Sequence, residues 1–222
     1  MKIDILTLFP DMFLGVFNES IIKRAIDEGK VKINLIDFRE FTKDPHKKVD
    51  DTPYGGGAGM VLSPQPIFDC VKALRTEESK VILLTPDGEV YKQNRAYNLS
   101  KEKHLILICG HYEGFDERIR SICDLELSIG DYVLTGGEVA SMAIVDSVVR
   151  LLPGVITEES HINDSFNNNL LDYPTYTKPR VYEGMEVPEV LLSGDHKKIA
   201  EYRYNESLKR TKERRPDLLD NQ

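Results

Sequence analysis

The sequence predicts an α/β domain built on a parallel sheet, followed by a small helical unit. Three observations carry that expectation. Strand-like and helix-like segments alternate through the first half of the chain. VILLTP and HLILICG are short continuous apolar runs, the pattern of strands covered on both faces. After Ile156 the chain turns polar and asparagine-rich without a period, and beyond Tyr176 it becomes basic with a helical pattern.

In order, KIDILTLFP reads as a strand, with Ile3, Ile5 and Leu8 apolar. A helical stretch follows from Asp11 to Glu28, stopped by Gly29. VKINLIDF alternates at period two, with Val31, Ile33 and Leu35 on one face. The segment from Arg39 to Met60 is turn-rich and carries PYGGGAGM. Ser63 and Pro64 suit the N-cap and first position of a helix whose buried face is Ile67, Val71 and Leu74. The two apolar strands come next, each running directly into a glycine-bearing turn. Val139 to Leu152 reads as a buried helix closed by Pro153 and Gly154.

At 222 residues the chain can bury a core without disulfide or metal staples. Its 29 basic and 37 acidic residues leave a net charge of −8, which argues against general coating of polyanions and allows a local basic patch. Lys197 to Arg215 supplies one: eight basic against three acidic residues, +5, leaving −13 on the rest. Alone, that stretch reads equally as a solvated helix face or as a phosphate-contacting surface. Cys70, Cys109 and Cys123 form no C-x-x-C, which points to a reducing compartment and no structural zinc. The apolar run at the N-terminus is too short for a signal peptide, and Asp146 and Arg150 break the longest apolar stretch. No membrane association and a cytoplasmic location are expected.

No G-x-x-x-x-G-K-[ST], G-x-S-x-G or H-E-x-x-H occurs, which excludes the common phosphate-loop, hydrolase and zinc sites. PYGGGAGM breaks the dinucleotide pattern at its third glycine and follows a loop. What remains is glycine clustered after strand-like runs: TPDG (Thr85 to Gly88), CGHYEG (Cys109 to Gly114) and SIGDYVLTGGE (Ser128 to Glu138). Loops at the carboxyl ends of parallel strands bind ligands, and Gly136 and Gly137 stand where a helix start leaves N–H groups free. Three such loops fit around one small polar ligand, which spacing does not name. Of the nearby carboxylates Glu113, Asp116, Asp131, Glu138 and Asp164, most read as solvated or as helix caps, Asp116 among the caps. Asp164 lies in the polar stretch with no helix to serve. Arg150, inside an apolar helix, reads by itself as a snorkelling surface residue.

Six ordered motifs carry a resemblance: Asp51 to Met60 (DTPYGGGAGM), Gly110 to Arg118 (GHYEGFDER), Ser128 to Glu138, Asp146 to Gly154 (DSVVRLLPG), Asp164 to Pro179 (DSFNNNLLDYPTYTKP) and Glu183 to His196 (EGMEVPEVLLSGDH). The chain resembles the bacterial tRNA (guanine-N1)-methyltransferases, which act at guanine 37, just 3′ of the anticodon. The resemblance implies a SPOUT-type parallel-sheet α/β domain with a deep trefoil knot over residues 1–157, a linker over 158–175 and a small helical tRNA-binding C-terminal domain over 176–222. It implies a homodimer, with tRNA as partner and S-adenosylmethionine as cofactor. Pro86, Gly110, Tyr112, Glu113, Ser128, Ile129, Tyr132, Leu134, Gly136 and Gly137 match its cofactor positions. Two departures stand out: Asn169 where the family commonly has glycine before Leu-Leu-Asp, and Ala140 where some members have proline.

Guanine N1 carries a proton and is a poor nucleophile until it leaves. The resemblance makes Asp164 the general base and Arg150 the group that stabilises charge on O6. An ordinary aspartate titrates near about 3.9, so burial or proton loss concerted with methyl transfer must help. The resemblance also implies magnesium, with Glu113 and Asp164 as ligands. Asp50, Asp51, Tyr54 and Gly55, Gly56 and Gly57 are expected near a base extruded from the anticodon loop, and Lys209, Arg210, Arg214 and Arg215 on tRNA phosphates.

Overall fold

The computed structural model describes residues 1–157, 164–166 and 168–219. The described chain divides into two compact units, Met1–Ile156 and Thr157–Gln222.

The first unit is α/β. Its five-stranded sheet runs in the order β2-β1-β6-β5-β7, every pair parallel. The strands are β1 (Lys2–Thr7), β2 (Lys32–Asp37), β5 (Ser79–Val90), β6 (His104–Cys109) and β7 (Leu125–Ser128), and β3 (Asp50–Asp51) with β4 (Val61–Leu62) makes a separate antiparallel pair. Period-two alternation divides the core into two faces. Ile3, Ile5, Ile82, Leu84, Leu105 and Leu107 face one side with helix α5 (Glu138–Val149); Leu6, Val81, Leu83, Ile106 and Ile108 face the other with α3 (Pro64–Leu74). Helices on both faces explain why β5 and β6 read as uninterrupted apolar runs.

Several local expectations change. The helix foreseen from Asp11 to Glu28 is broken into a 3₁₀ turn (Pro10–Phe13), α1 (Leu14–Phe17) and α2 (Ser20–Asp27). Asn18 ends α1, its N–H bonded to the Leu14 carbonyl, and Ser20 has φ 55°, outside the right-handed helical region. Ser63 takes the N-cap position of α3, but its side chain makes no capping bond. Thr85 to Gly88 is no simple turn: β5 stays extended to Val90, with its pairing to β7 shifted between Leu84 and Glu89. Arg150 is the C-cap of α5 and not an interior residue.

In the second unit a two-stranded hairpin (Val181–Tyr182 with Met185–Glu186) precedes a short helix (Glu189–Leu192) and a long one (His196–Arg214). Asp195 caps the long helix through Lys198 N–H at 3.2 Å. Of the expected linker, residues 158–163 and 167 lie outside the described residues. Its described part is tied down: Phe166 N–H donates to the Leu170 carbonyl at 2.8 Å and Leu171 N–H to the buried Thr211 Oγ1 at 2.8 Å.

Candidate active site

The three glycine-bearing segments converge. One lies in the far half of β5 and the other two leave the carboxyl ends of β6 and β7, and together they enclose one cavity of about 390 Å³. Its wall comes from Leu84–Asp87, Gly110–Phe115, Leu127–Gly130 and Tyr132–Gly137, with Arg120 and Ala140. All ten residues expected at a cofactor, from Pro86 to Gly137, line it.

The glycines are there because neighbouring backbone and side chains leave no room for a Cβ. A Cβ on Gly88 would stand 2.5 Å from Leu127 N, and one on Gly110 would stand 2.6 Å from the Phe115 ring. The segment after β7 returns to the exit of β6: Gly136 pairs with His111, and Gly137 N–H donates to the Gly110 carbonyl at 2.8 Å. Tyr112 holds a left-handed φ of 61°, a conformation that persists in a non-glycine residue only where surroundings impose it.

Arg120 braces the cavity wall. Its guanidinium donates to Asp87, Glu117 and Glu126 at once, joining the β5 extension, the turn Glu117–Ile122 and β7. Asp116 accepts from Arg118 N–H at 3.0 Å as the expected cap, and the side-chain bond to Arg118 holds its carboxyl below the usual range.

The glycine loop after β3 borders the same wall. Gly55, Gly56, Gly57 and Gly59 all have positive φ, and Tyr54 is fully exposed. Just beyond them Glu113 N–H donates to the Met60 carbonyl at 3.0 Å, and Leu62 N–H to the Gly114 carbonyl at 2.9 Å. Asp50 is half-buried and Asp51 exposed on β3. Arg150, half-buried, belongs to the first unit; Asp164, also half-buried, belongs to the second. Lys209, Arg214 and Arg215 are exposed, while Arg210 is half-buried and donates to the Asp172 carbonyl at 3.1 Å.

Sequence reasoning missed several residues here. Glu138, read as solvated or capping, is 1% exposed. Thr7, His111 and Arg120 drew no attention. The available signal was a charge wedged between Gly137 and the apolar run of α5.

The magnesium expectation meets no support in the donor set: among the described residues no group of three or more His, Cys, Asp or Glu gathers to hold a metal ion. No step below is routed through a metal.

A parallel α/β domain whose strand ends enclose a glycine-lined cavity is built to hold a nucleotide-sized ligand. The chain belongs to the tRNA (Guanine-1)-methyltransferase TrmD family, whose model matches residues 1–221. A tRNA (guanine-N(1)-)-methyltransferase of Shouchella clausii (strain KSM-K16) is 61% identical over 223 residues, covering 99% of this chain and 91% of the relative. One of Geobacillus kaustophilus (strain HTA426) is 62% identical over 224 residues, covering 99% and 92%. A Bacillus cereus (strain B4264) relative of the same name is 58% identical over 225 residues, covering 99% and 92%.

Proposed function

We propose that the chain transfers the methyl group of S-adenosylmethionine to N1 of guanine 37 in tRNA, the nucleotide 3′ of the anticodon. Family membership supports the reaction class, and one observation carries the site: the ten residues expected at the cofactor surround a single cavity. Its volume of about 390 Å³ and its glycine-rich lining suit a small-molecule site that ligand groups can approach closely.

S-adenosylmethionine, when bound, supplies an electrophilic methyl on a sulfonium. The chain's own residues do the rest. The wall segments Gly110–Phe115, Leu127–Gly130 and Tyr132–Gly137 orient the donor, and Tyr112 and Tyr132 bring aromatic rings to the cavity lining. Asp164 accepts the N1 proton, and the Arg150 guanidinium stabilises charge growing on O6, worth about 3–4 kcal/mol by analogy with oxyanion donors. Asp50, Asp51, Tyr54 and the Gly55–Gly57 loop approach the extruded base. Lys209, Arg210, Arg214 and Arg215 contact phosphates. The domain assignment follows: 1–157 for the methyl donor, 158–175 a linker and 176–222 for tRNA.

The crossing of Gly136 and Gly137 over Cys109 and Gly110 supports the deep knot. Exposed Met12, Leu14, Val16 and Val139, on adjoining elements, support a homodimer, measurable by sedimentation. No helix of the described residues is long and apolar enough to cross a membrane, in keeping with a cytoplasmic enzyme.

The deciding experiment incubates the chain with unmodified tRNA and S-adenosylmethionine and maps the product. N1-methylguanine at position 37 is expected; a methylated ribose or another base would refute the reading. Asp164→Ala should cut kcat by at least about 100-fold while leaving S-adenosylmethionine affinity unchanged. Retained turnover would remove Asp164 from its role.

A further inference from the structure

The Leu8-Phe9-Pro10 turn and the glutamate after Gly136 and Gly137 have no part in the roles above, and they meet behind the cavity wall. Glu138 is the first residue of α5, with its carboxylate buried. A buried carboxylate is costly unless its oxygens are engaged. Thr7 Oγ1 donates to Glu138 Oε1 at 2.7 Å. Thr7 is the last residue of β1 and is itself buried, and its hydroxyl oxygen accepts the Phe9 N–H at 3.0 Å. The Phe9 ring rests on the His111 ring, centroids 4.7 Å apart, and the His111 and Tyr112 rings meet edge to face at 5.0 Å. His111 Nδ1 is buried without a hydrogen-bond partner and lies 4.0 Å from Glu138 Oε2, close enough for an electrostatic approach and too far for a hydrogen bond. His111 and Tyr112 line the cavity; Glu138 and Thr7 stand behind it.

We propose that Glu138 is a positioning residue of the methyl-donor site, holding the wall segment Gly110–Tyr112 in place through Thr7 and Phe9 on one side and His111 on the other. The inference rests on the reading of the cavity as the S-adenosylmethionine site. The wall needs such backing. Tyr112 sits in left-handed backbone, and Gly136 leaves no slack, because a Cβ there would meet His111 Nδ1 at 2.6 Å. A strained segment keeps one conformation only when its neighbours over-determine it. Two chain segments far apart in sequence, the end of β1 and the exit of β6, converge on the carboxylate at the start of α5.

The test is calorimetric titration of S-adenosylmethionine into the full chain, with the KM for tRNA measured alongside. Thr7→Val deletes the hydroxyl that Glu138 and Phe9 both use, and should weaken donor binding about tenfold, the worth of a lost bond to a charged acceptor. Thr7→Ser should restore it. Glu138→Ala should do similar harm, and Glu138→Gln, which still offers an oxygen to Thr7, should bind within about threefold of the parent. The Thr7→Val/Glu138→Ala double variant should be weaker than either single one by clearly less than the product of the two effects, because both delete the Thr7–Glu138 bond. The KM for tRNA should stay within about twofold throughout, a split that general destabilisation would not produce. Unchanged donor affinity in folded Thr7→Val or Glu138→Ala overturns the proposal, as do effects that multiply in the double variant. A parent chain that fails to bind S-adenosylmethionine at all overturns the cavity assignment itself, a failure distinct from loss confined to the variants.

Discussion

At Gly137 the backbone has φ −80°, which any residue adopts, yet a Cβ there would stand 2.8 Å from Cys109 Cα and 3.0 Å from Gly110 N. Both are main-chain atoms at the exit of a central strand and cannot swing aside. Gly137→Ala should therefore push the crossing apart, destabilise the fold by about 1–3 kcal/mol and weaken S-adenosylmethionine binding more than tenfold. Urea unfolding and titration check the two effects; an alanine variant matching the parent in both would mean the crossing is loose. The sequence located this glycine because two glycines before a helix imply close approach, but it held no sign of what is approached, since Cys109 lies 28 positions away. Asn169 teaches the converse. It stands where the family commonly has glycine and adopts φ 56°. Asparagine tolerates the left-handed region better than other side chains, so the departure from the family preserves the turn. Glu138 was misread because burial is a tertiary fact: nothing local distinguishes an exposed helix-start carboxylate from one that meets a threonine 131 residues away.

Elements were legible where one period ran unbroken and misread where a side chain redirected the backbone. The strands β1, β2, β5 and β6 follow their apolar patterns, but nothing in DMFLGVFNESIIKRAIDE announces the break at Asn18–Glu19, because apolar spacing continues across it. Polar residues inside strands were equally opaque. Asp4, in the middle of β1, has a buried side chain that receives Lys2 Nζ at 2.6 Å and Asn34 Nδ2 at 2.6 Å and lies 2.9 Å from His104 Nε2. It ties β1 to both neighbours at the end of the sheet opposite the cavity. Burial pushes its carboxyl upward, but the bonds from Asn34, Lys2 and His104 outweigh that and hold it below 3.8. A carboxyl whose folded value is depressed contributes stability that is fully present above its unfolded value and is lost as pH falls through the folded one. Asp4→Asn should cost about 1–3 kcal/mol at pH 7, by loss of charge-assisted bonds. The gap between parent and variant should narrow as pH drops below about 4. Denaturant melts at pH 7 and at pH 3 test this; a gap that stays constant or widens on acidification would show that Asp4 is not the linked group.

Across the whole molecule, charge is divided as the chain is divided. The long helix His196–Arg214 concentrates cations in a chain of net −8, while the cavity proposed for the methyl donor belongs to the other unit. Composition made that asymmetry visible, whereas the engagement of each cation needed coordinates. Arg210 already donates to the Asp172 carbonyl, and Arg215 is paired with Asp217 at 2.7 Å, so neither is as available to a phosphate as its charge suggests. Lys209 and Arg214 are exposed and carry no such bond among the described residues. If the helix grips tRNA, each available cation releases condensed counterions, and the logarithm of the association constant falls with the logarithm of salt by about 0.7–0.9 per contact. Lys209→Gln with Arg214→Gln should flatten that slope by about 1.5–2, and Arg215→Gln alone should flatten it by less than about 0.7. Affinity for S-adenosylmethionine should not change in any of these, because the cavity proposed for the donor lies in the first unit. Filter binding of tRNA across a salt series, with donor titration in parallel, separates the two. An unchanged slope in the double variant would move the phosphate grip off this helix, and a fall in donor affinity would show that the two units do not divide the work.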